Sequence, residues 1–325
     1  MKRTLALLLS AALLLSLAAC KITKKPDPTK PPASAAATTE PAGLNLPTLE
    51  QVTANWAWGA SNGTVDDPAT HLALIGYAKD CDFGKLDLAV GPFGQAKVSY
   101  AGEKKGDDSS DDEFFYGYFA EYEYVTGPYF AFDEPVDVSR WAPIFLVESS
   151  AMGEGLAPLR QSERFVVGGD DAPYFPAASF EDIAKAETLH PGRKIEESQL
   201  LAEAGDTRVC MFRYENRPRE GLFALVCFDG AKVLSIDYTT EYVDEDGADW
   251  RVDLEPDDVG LLEPVLLCRT QEGVLLIVTW SAPEGASRLI LREKDGALEE
   301  LDLGGWGYSI WEDEFYLDEY EEEKQ

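Results

Sequence analysis

From Leu46 onward the apolar residues fall mostly into short runs that alternate with polar ones, the two-residue period of a half-buried β-strand. The exceptions are helical. Thr48 with Gln51 three residues on is a capping-box pattern and predicts a short helix through about Asn55. Ser61-Asn62-Gly63-Thr64 then marks a tight turn. Residues 85–90 and 96–101 read as strands around Gly91-Pro92-Phe93-Gly94. Residues 114–124, with tyrosines on one face, pair naturally with 129–133 across Val125-Thr126-Gly127-Pro128. Shorter strands are expected at 143–147 and 164–167. Ser179 opens the clearest helix: Asp182 sits three residues on, Phe180, Ile183 and Ala184 can share a face, and Pro191-Gly192 ends it. A second helical piece is predicted over 194–204, closed by Gly205 in C-cap position.

The last third is the most regular. Strands are expected at 208–214, 222–228, 232–239 and 250–254, and again at 265–269, 274–280, 287–293 and 298–303. Arg217-Pro218, Asp229-Gly230, Gln271-Glu272-Gly273, Pro283-Glu284-Gly285 and Asp295-Gly296 supply turns between them. The two blocks read as copies of one unit, since Glu220-Gly221-Leu222-Phe223-Ala224-Leu225-Val226 aligns with Glu272-Gly273-Val274-Leu275-Leu276-Ile277-Val278. Residues 85–133 offer a third copy. The predicted fold class is therefore mainly β, antiparallel four-stranded meanders of the kind that build a β-propeller, with a short helical insert. Stacked meanders in an α+β domain are the alternative. The tail from Trp306 alternates aromatic and acidic residues, its first half suited to a closing strand and its last residues to a solvated end.

The N-terminus has a different pattern. Met1-Lys2-Arg3 precedes an apolar run from Leu5 to Leu17, short for a membrane span and suited to an export signal over residues 1–19. It closes in Leu17-Ala18-Ala19-Cys20, which resembles the lipobox of bacterial lipoproteins. The resemblance implies cleavage before Cys20 and a diacylglycerol thioether on its sulfur. Two or three acyl chains give stable anchoring, so the mature chain is expected on a cell membrane, facing outside the cytoplasm. Residues 20–45, rich in Pro, Thr, Ala and Lys, read as an extended tether. Its lysines lie next to the lipid, where anionic headgroups attract them. The folded body is expected over 46–325, with a possible subdivision near 180–205.

Charge sharpens this division. The chain carries a formal −32. The first 45 residues hold six Lys or Arg against Asp27 and Glu40, which leaves residues 46–325 at −36. Such a body repels phosphate backbones and anionic lipids, which excludes nucleic acid as a partner. Of the five cysteines, Cys20 is assigned to lipid; Cys210 and Cys227 face one another if their hairpin is centred on Pro218 and Arg219. They are candidates for a cross-strand disulfide, with two buried thiols as the alternative.

Signatures of catalysis are missing from the sequence: there is no Gly-x-Ser-x-Gly, no phosphate-binding loop, no His-Glu-x-x-His and no dinucleotide fingerprint. His71 and His190 are the only histidines. The candidate cation site is Asp244, Asp246 and Asp249, whose carboxylates around Gly247 could present oxygens to Ca²⁺. A second acidic run, 107–113, reads as a loop. Trp56 with Trp58, and Trp306 with Trp311, are candidate platforms for sugar rings. The expected role is a binding or interaction module at the cell surface, with a glycan or protein ligand. A surface hydrolase using a carboxylate pair and a structural envelope component are the alternatives.

Overall fold

The computed structural model describes residues 45–64, 66–106, 122–123, 125–138, 144–157, 159–162, 175–243, 247–250, 257–282 and 285–301. The chain divides at Gly43/Leu44, and all of these residues belong to the second unit, Leu44–Gln325. It is built mainly of antiparallel β-sheet.

Thr48 caps the helix α1 (Leu49–Ala54) in a complete capping box with Gln51. Six strands then close into a barrel: β1 (Trp56–Ser61), β2 (Ala69–Tyr77), β3 (Leu88–Gly91), β4 (Gly94–Lys104), β5 (Gly127–Val136) and β6 (Ile144–Val147), in the order β1-β2-β5-β4-β3-β6. Alternation fills its interior with Ala57, Leu72, Leu74, Ala89, Val98, Phe130, Ile144 and Leu146. β1 is buried along its whole length, because its intervening residues Trp56 and Trp58 face a second core outside the barrel. Close approach of β2 demands a glycine there: a Cβ on Gly59 would lie 2.1 Å from the carbonyl oxygen of Ala73.

A short helix, α2 (Ser149–Met152), leads to two strands of two residues each, β7 (Leu156–Ala157) and β8 (Arg160–Gln161). Each joins the edge of a different five-stranded sheet. One sheet has the order β8-β9-β10-β11-β12, with β9 (Ile195–Ala204), β10 (Thr207–Arg217), β11 (Glu220–Asp229) and β12 (Lys232–Thr240). The other is β7-β13-β14-β15-β16, with β13 (Leu261–Thr270), β14 (Gly273–Ala282), β15 (Gly285–Lys294) and β16 (Ala297–Glu300). Asp295 and Gly296, both at positive φ, make the two-residue turn before β16 that Asp-Gly favours.

The sheets pack face to face. Phe223, Leu225 and Cys227 of β11 meet Leu267, Leu276, Val278 and Leu291 of the partner sheet in the largest core. Outer faces are covered too. Leu222, Ala224, Val226 and Phe228 lie under the helix α3 (Phe180–Glu187), and Leu266, Cys268, Leu275 and Ile277 pack on Trp56, Trp58, Phe145 and Val147 of the barrel. The layers are thus helix, sheet, sheet and barrel. Burial on both faces explains why β11, β13 and β14 are nearly continuous apolar runs. Between barrel and sandwich a small apolar cavity of about 20 Å³ is lined by Val52, Trp56, Phe145, Met152, Leu266 and Ile290, among others. Val52→Ile should fill it and raise stability by roughly 0.5 kcal/mol, read as a higher urea midpoint; a loss of stability would show that the space cannot take a methylene.

The start of this unit is stitched to the β13–β14 turn. Gln271 N donates to Pro47 O at 2.8 Å, Gln271 Nε2 to Leu46 O at 2.9 Å, and Leu49 N to Glu272 Oε2 at 2.8 Å.

Four expectations are corrected. Residues 195–204 are the strand β9, because β10 offers a pairing edge, and bulges near Leu201 and Glu196 break the two-residue period that would have disclosed it. Gly205, at φ +58, turns the β9–β10 hairpin instead of ending a helix. Residues 85–133 contribute to the closed barrel and are not a third copy, so the described residues show no ring of like blades. Residue 85 itself closes a 3₁₀ turn, Phe83–Lys85, ahead of β3. The strand expected at 164–167, all of the one at 250–254 but Trp250, which lies in a bend, most of the one at 114–124, and the tail from Trp306 lie outside the described residues.

Candidate functional site

β4 alternates Ala96 and Val98, which face the barrel interior, with Gln95, Lys97 and Ser99, which face outward. These polar residues, with Asp133 of β5, line an open cleft of about 640 Å³ on the barrel wall. Leu88, Met152 and Leu156 supply its apolar side. The wall formed by α2 is fixed by Asp87: its Oδ1 accepts from Ser149 N at 2.7 Å and its Oδ2 from Ser149 Oγ at 2.6 Å. Both oxygens of that carboxylate are thereby occupied. Lys97 is exposed and makes no ion pair among the described residues. The cleft therefore offers an ammonium, a carboxylate, an amide and a hydroxyl beside an apolar wall, the mixture by which a pocket orients a polar ligand.

Both histidines and Lys104 are engaged in local contacts. His190 Nε2 lies 3.2 Å from Asp237 Oδ1, with its ring edge-on to Tyr214 at 4.8 Å. This pair holds the end of α3 against β12, and no serine or cysteine joins it among the described residues. His71 Nδ1 is 3.0 Å from Thr70 Oγ1, and the ring lies 5.9 Å from that of Tyr129. Lys104 Nζ donates to the carbonyls of Tyr122 (2.6 Å) and Val125 (2.9 Å), and burial lowers its pKa.

The candidate disulfide does not form. Cys210 stands opposite Val226 and Cys227 opposite Val209; the two thiols fall on opposite faces of the sheet, in different cores. All four described cysteines are free. Burial pushes the thiols of Cys227 and Cys268 up to about 12 and that of Cys81 up to about 11, so they are protonated and unreactive at neutral pH.

Of the candidate cation ligands, Asp244 and Asp246 lie outside the described residues, as does the run 107–113. Asp249 is exposed, and its N–H donates to Tyr242 O at 2.9 Å. Among the described residues no three His, Cys, Asp or Glu side chains converge. The nearby Asp257 is engaged, its Oδ1 accepting from Ala248 N and Asn216 Nδ2 at 2.9 Å each. Trp56 and Trp58 are core residues, 5 % and 8 % exposed, and offer no platform; Trp306 and Trp311 lie outside the described residues.

Set against protein-family models, curated proteins and solved structures, the chain finds no match. The residues that shape the cleft carry no motif in the sequence. Their only signal is the polar phase of β4, Gln95, Lys97 and Ser99, which any solvated strand would show.

Proposed function

We propose that the chain is a lipid-anchored binding module that works outside the cytoplasm, held to the membrane through Cys20 and residues 21–45. The observation that carries the binding reading is the cleft over Lys97, where polar groups free of structural duty border an apolar wall fixed by α2. Its volume suits a short peptide or an oligosaccharide. A net −36 on residues 46–325 sets the body apart from polyanions and leaves neutral or cationic ligands as its class.

The two halves of this reading are tested separately. Cys20→Ala should move the protein from the membrane fraction to the soluble fraction of cells; a variant that still sediments with membranes ends the lipoprotein assignment. For the cleft, unlipidated protein is melted against a panel of short peptides and neutral oligosaccharides. A ligand at 100 times its dissociation constant should stabilise the fold by about 2.7 kcal/mol. Lys97→Ala and Gln95→Ala should remove that shift while leaving the ligand-free melt unchanged. A shift that survives both substitutions places the ligand elsewhere.

A further inference from the structure

The mouth of the barrel carries a row of three aromatic rings. Phe83, on the 3₁₀ turn, stands at its centre, with Tyr77 edge-on at 5.1 Å (86° between planes) and Tyr100 stacked at 5.8 Å (27°). Tyr100 lies opposite Phe130 across β4–β5, on the inward phase of its strand, and touches it at 5.5 Å. The row is thus the outermost layer of the barrel core. Yet Tyr77 and Tyr100 remain 45 % and 41 % exposed.

Two of the rings, Phe83 and Tyr100, are held in place. Asp82 caps the turn, its Oδ1 accepting from Gly84 N at 3.2 Å, and its own N–H donates to Asn55 Oδ1 at 3.0 Å. Tyr100 OH donates to Glu103 Oε1 at 2.8 Å. Rings fixed before a ligand arrives lose little freedom on binding.

We infer that Tyr77 and Tyr100 form a stacking platform for a neutral glycan at the barrel mouth. Half-exposed rings present apolar faces to the C–H side of a pyranose, while carboxylates beside them accept hydrogen bonds from its hydroxyls. Glu103, Asp80 and Asp82 are exposed at this mouth, with Lys79 and with Lys85, which lies 3.8 Å from Asp82. Charge separates the candidate occupants: a body at −36 repels sulfated, phosphorylated or uronic glycans and admits uncharged ones. Size separates a glycan from a protein. Two half-exposed tyrosines present roughly 200 Å² of ring, well below the about 800 Å² that each partner contributes to a stable protein interface.

The platform rests on the binding-module reading but not on the cleft, and one experiment keeps them apart. The unlipidated protein is run in native gels containing amylose, dextran, galactomannan, xylan or a mixed-linkage β-glucan. At least one polymer should retard it. The Tyr77→Ala/Tyr100→Ala variant should weaken that retardation by about tenfold or more, equivalent to 1.4 kcal/mol. Tyr77→Phe/Tyr100→Phe, which keeps the rings, should stay within about threefold, and Tyr242→Ala, on an exposed tyrosine outside the row, should change nothing. Lys97→Ala should leave the retardation intact. If no polymer retards the wild type, or the ring-less variant is retarded equally, the platform is overturned. Retardation lost in Lys97→Ala but kept in the ring-less variant overturns it as well, and moves the glycan into the cleft.

Discussion

Replacing Phe223 with alanine is expected to destabilise the folded unit by about 4 kcal/mol, measured as the loss in unfolding free energy from urea titration. The side chain is fully buried at the centre of the sandwich. Tyr238 stacks on it at 4.9 Å, and Trp250 and Trp280 meet it edge-on at 5.0 and 5.5 Å. The neighbours cannot readily close the space, because hydrogen bonds hold two of the three: Trp280 Nε1 donates to Val259 O, and Tyr238 OH donates to Glu300 Oε1 across the sheets at 3.1 Å. Truncation therefore costs the transfer of the ring and leaves a cavity, and the near-ultraviolet circular dichroism should weaken with it. A loss under about 2 kcal/mol would mean that the cluster collapses freely.

Asp182→Ala is the second large effect, about 3 kcal/mol at pH 7. The eight-residue helix α3 is too short to persist alone, and this carboxylate ties it to β10 together with the Tyr214 hydroxyl, which donates to Ala186 O at 3.0 Å. Arg208 grips it with two hydrogen bonds of 2.8 Å, and Ser179 Oγ donates at 2.7 Å. Burial raises the carboxyl's pKa, but the bonds from Arg208 and Ser179 outweigh it and hold the group below its ordinary value. A depressed folded pKa gives stability that is fully present above the unfolded value of about 3.9 and lost as the pH falls through the folded one. The gap between wild type and Asp182→Ala should thus be constant above about pH 5 and narrow in stronger acid. A gap of equal size at pH 7 and pH 2 would rule out the ion pair as its source.

Where one face meets water the period of two was readable, and where both faces are buried the unbroken apolar run was, so β10 to β16 stand close to their expected places. Capping chemistry at Thr48 and Ser179 likewise placed two helices. Bulges defeated the rest. The β10–β11 hairpin does turn at Pro218 and Arg219, with Arg217 opposite Glu220, but an extra residue in β10 before Arg217 slips the register by one. That slip sends Cys210 and Cys227 to opposite faces. In β9, Glu, Gln, Leu and Ala favour helix locally, and only the edge of β10, a tertiary partner, makes them a strand. The cleft and the aromatic row join residues from separate turns and strands. Their assembly depends on barrel closure, which no local pattern announces.

The stitching of Leu46, Pro47 and Leu49 to Gln271 and Glu272 bears on how the protein carries load. Tension arriving from upstream of residue 45 reaches this knot before it reaches β1. It is passed to the turn between two ten-residue strands, β13 and β14, at the middle of the layered body, so the barrel strands are not the first to be peeled. A chain pulled from its N-terminal side would then hold its cleft and barrel mouth in shape until the knot gives way.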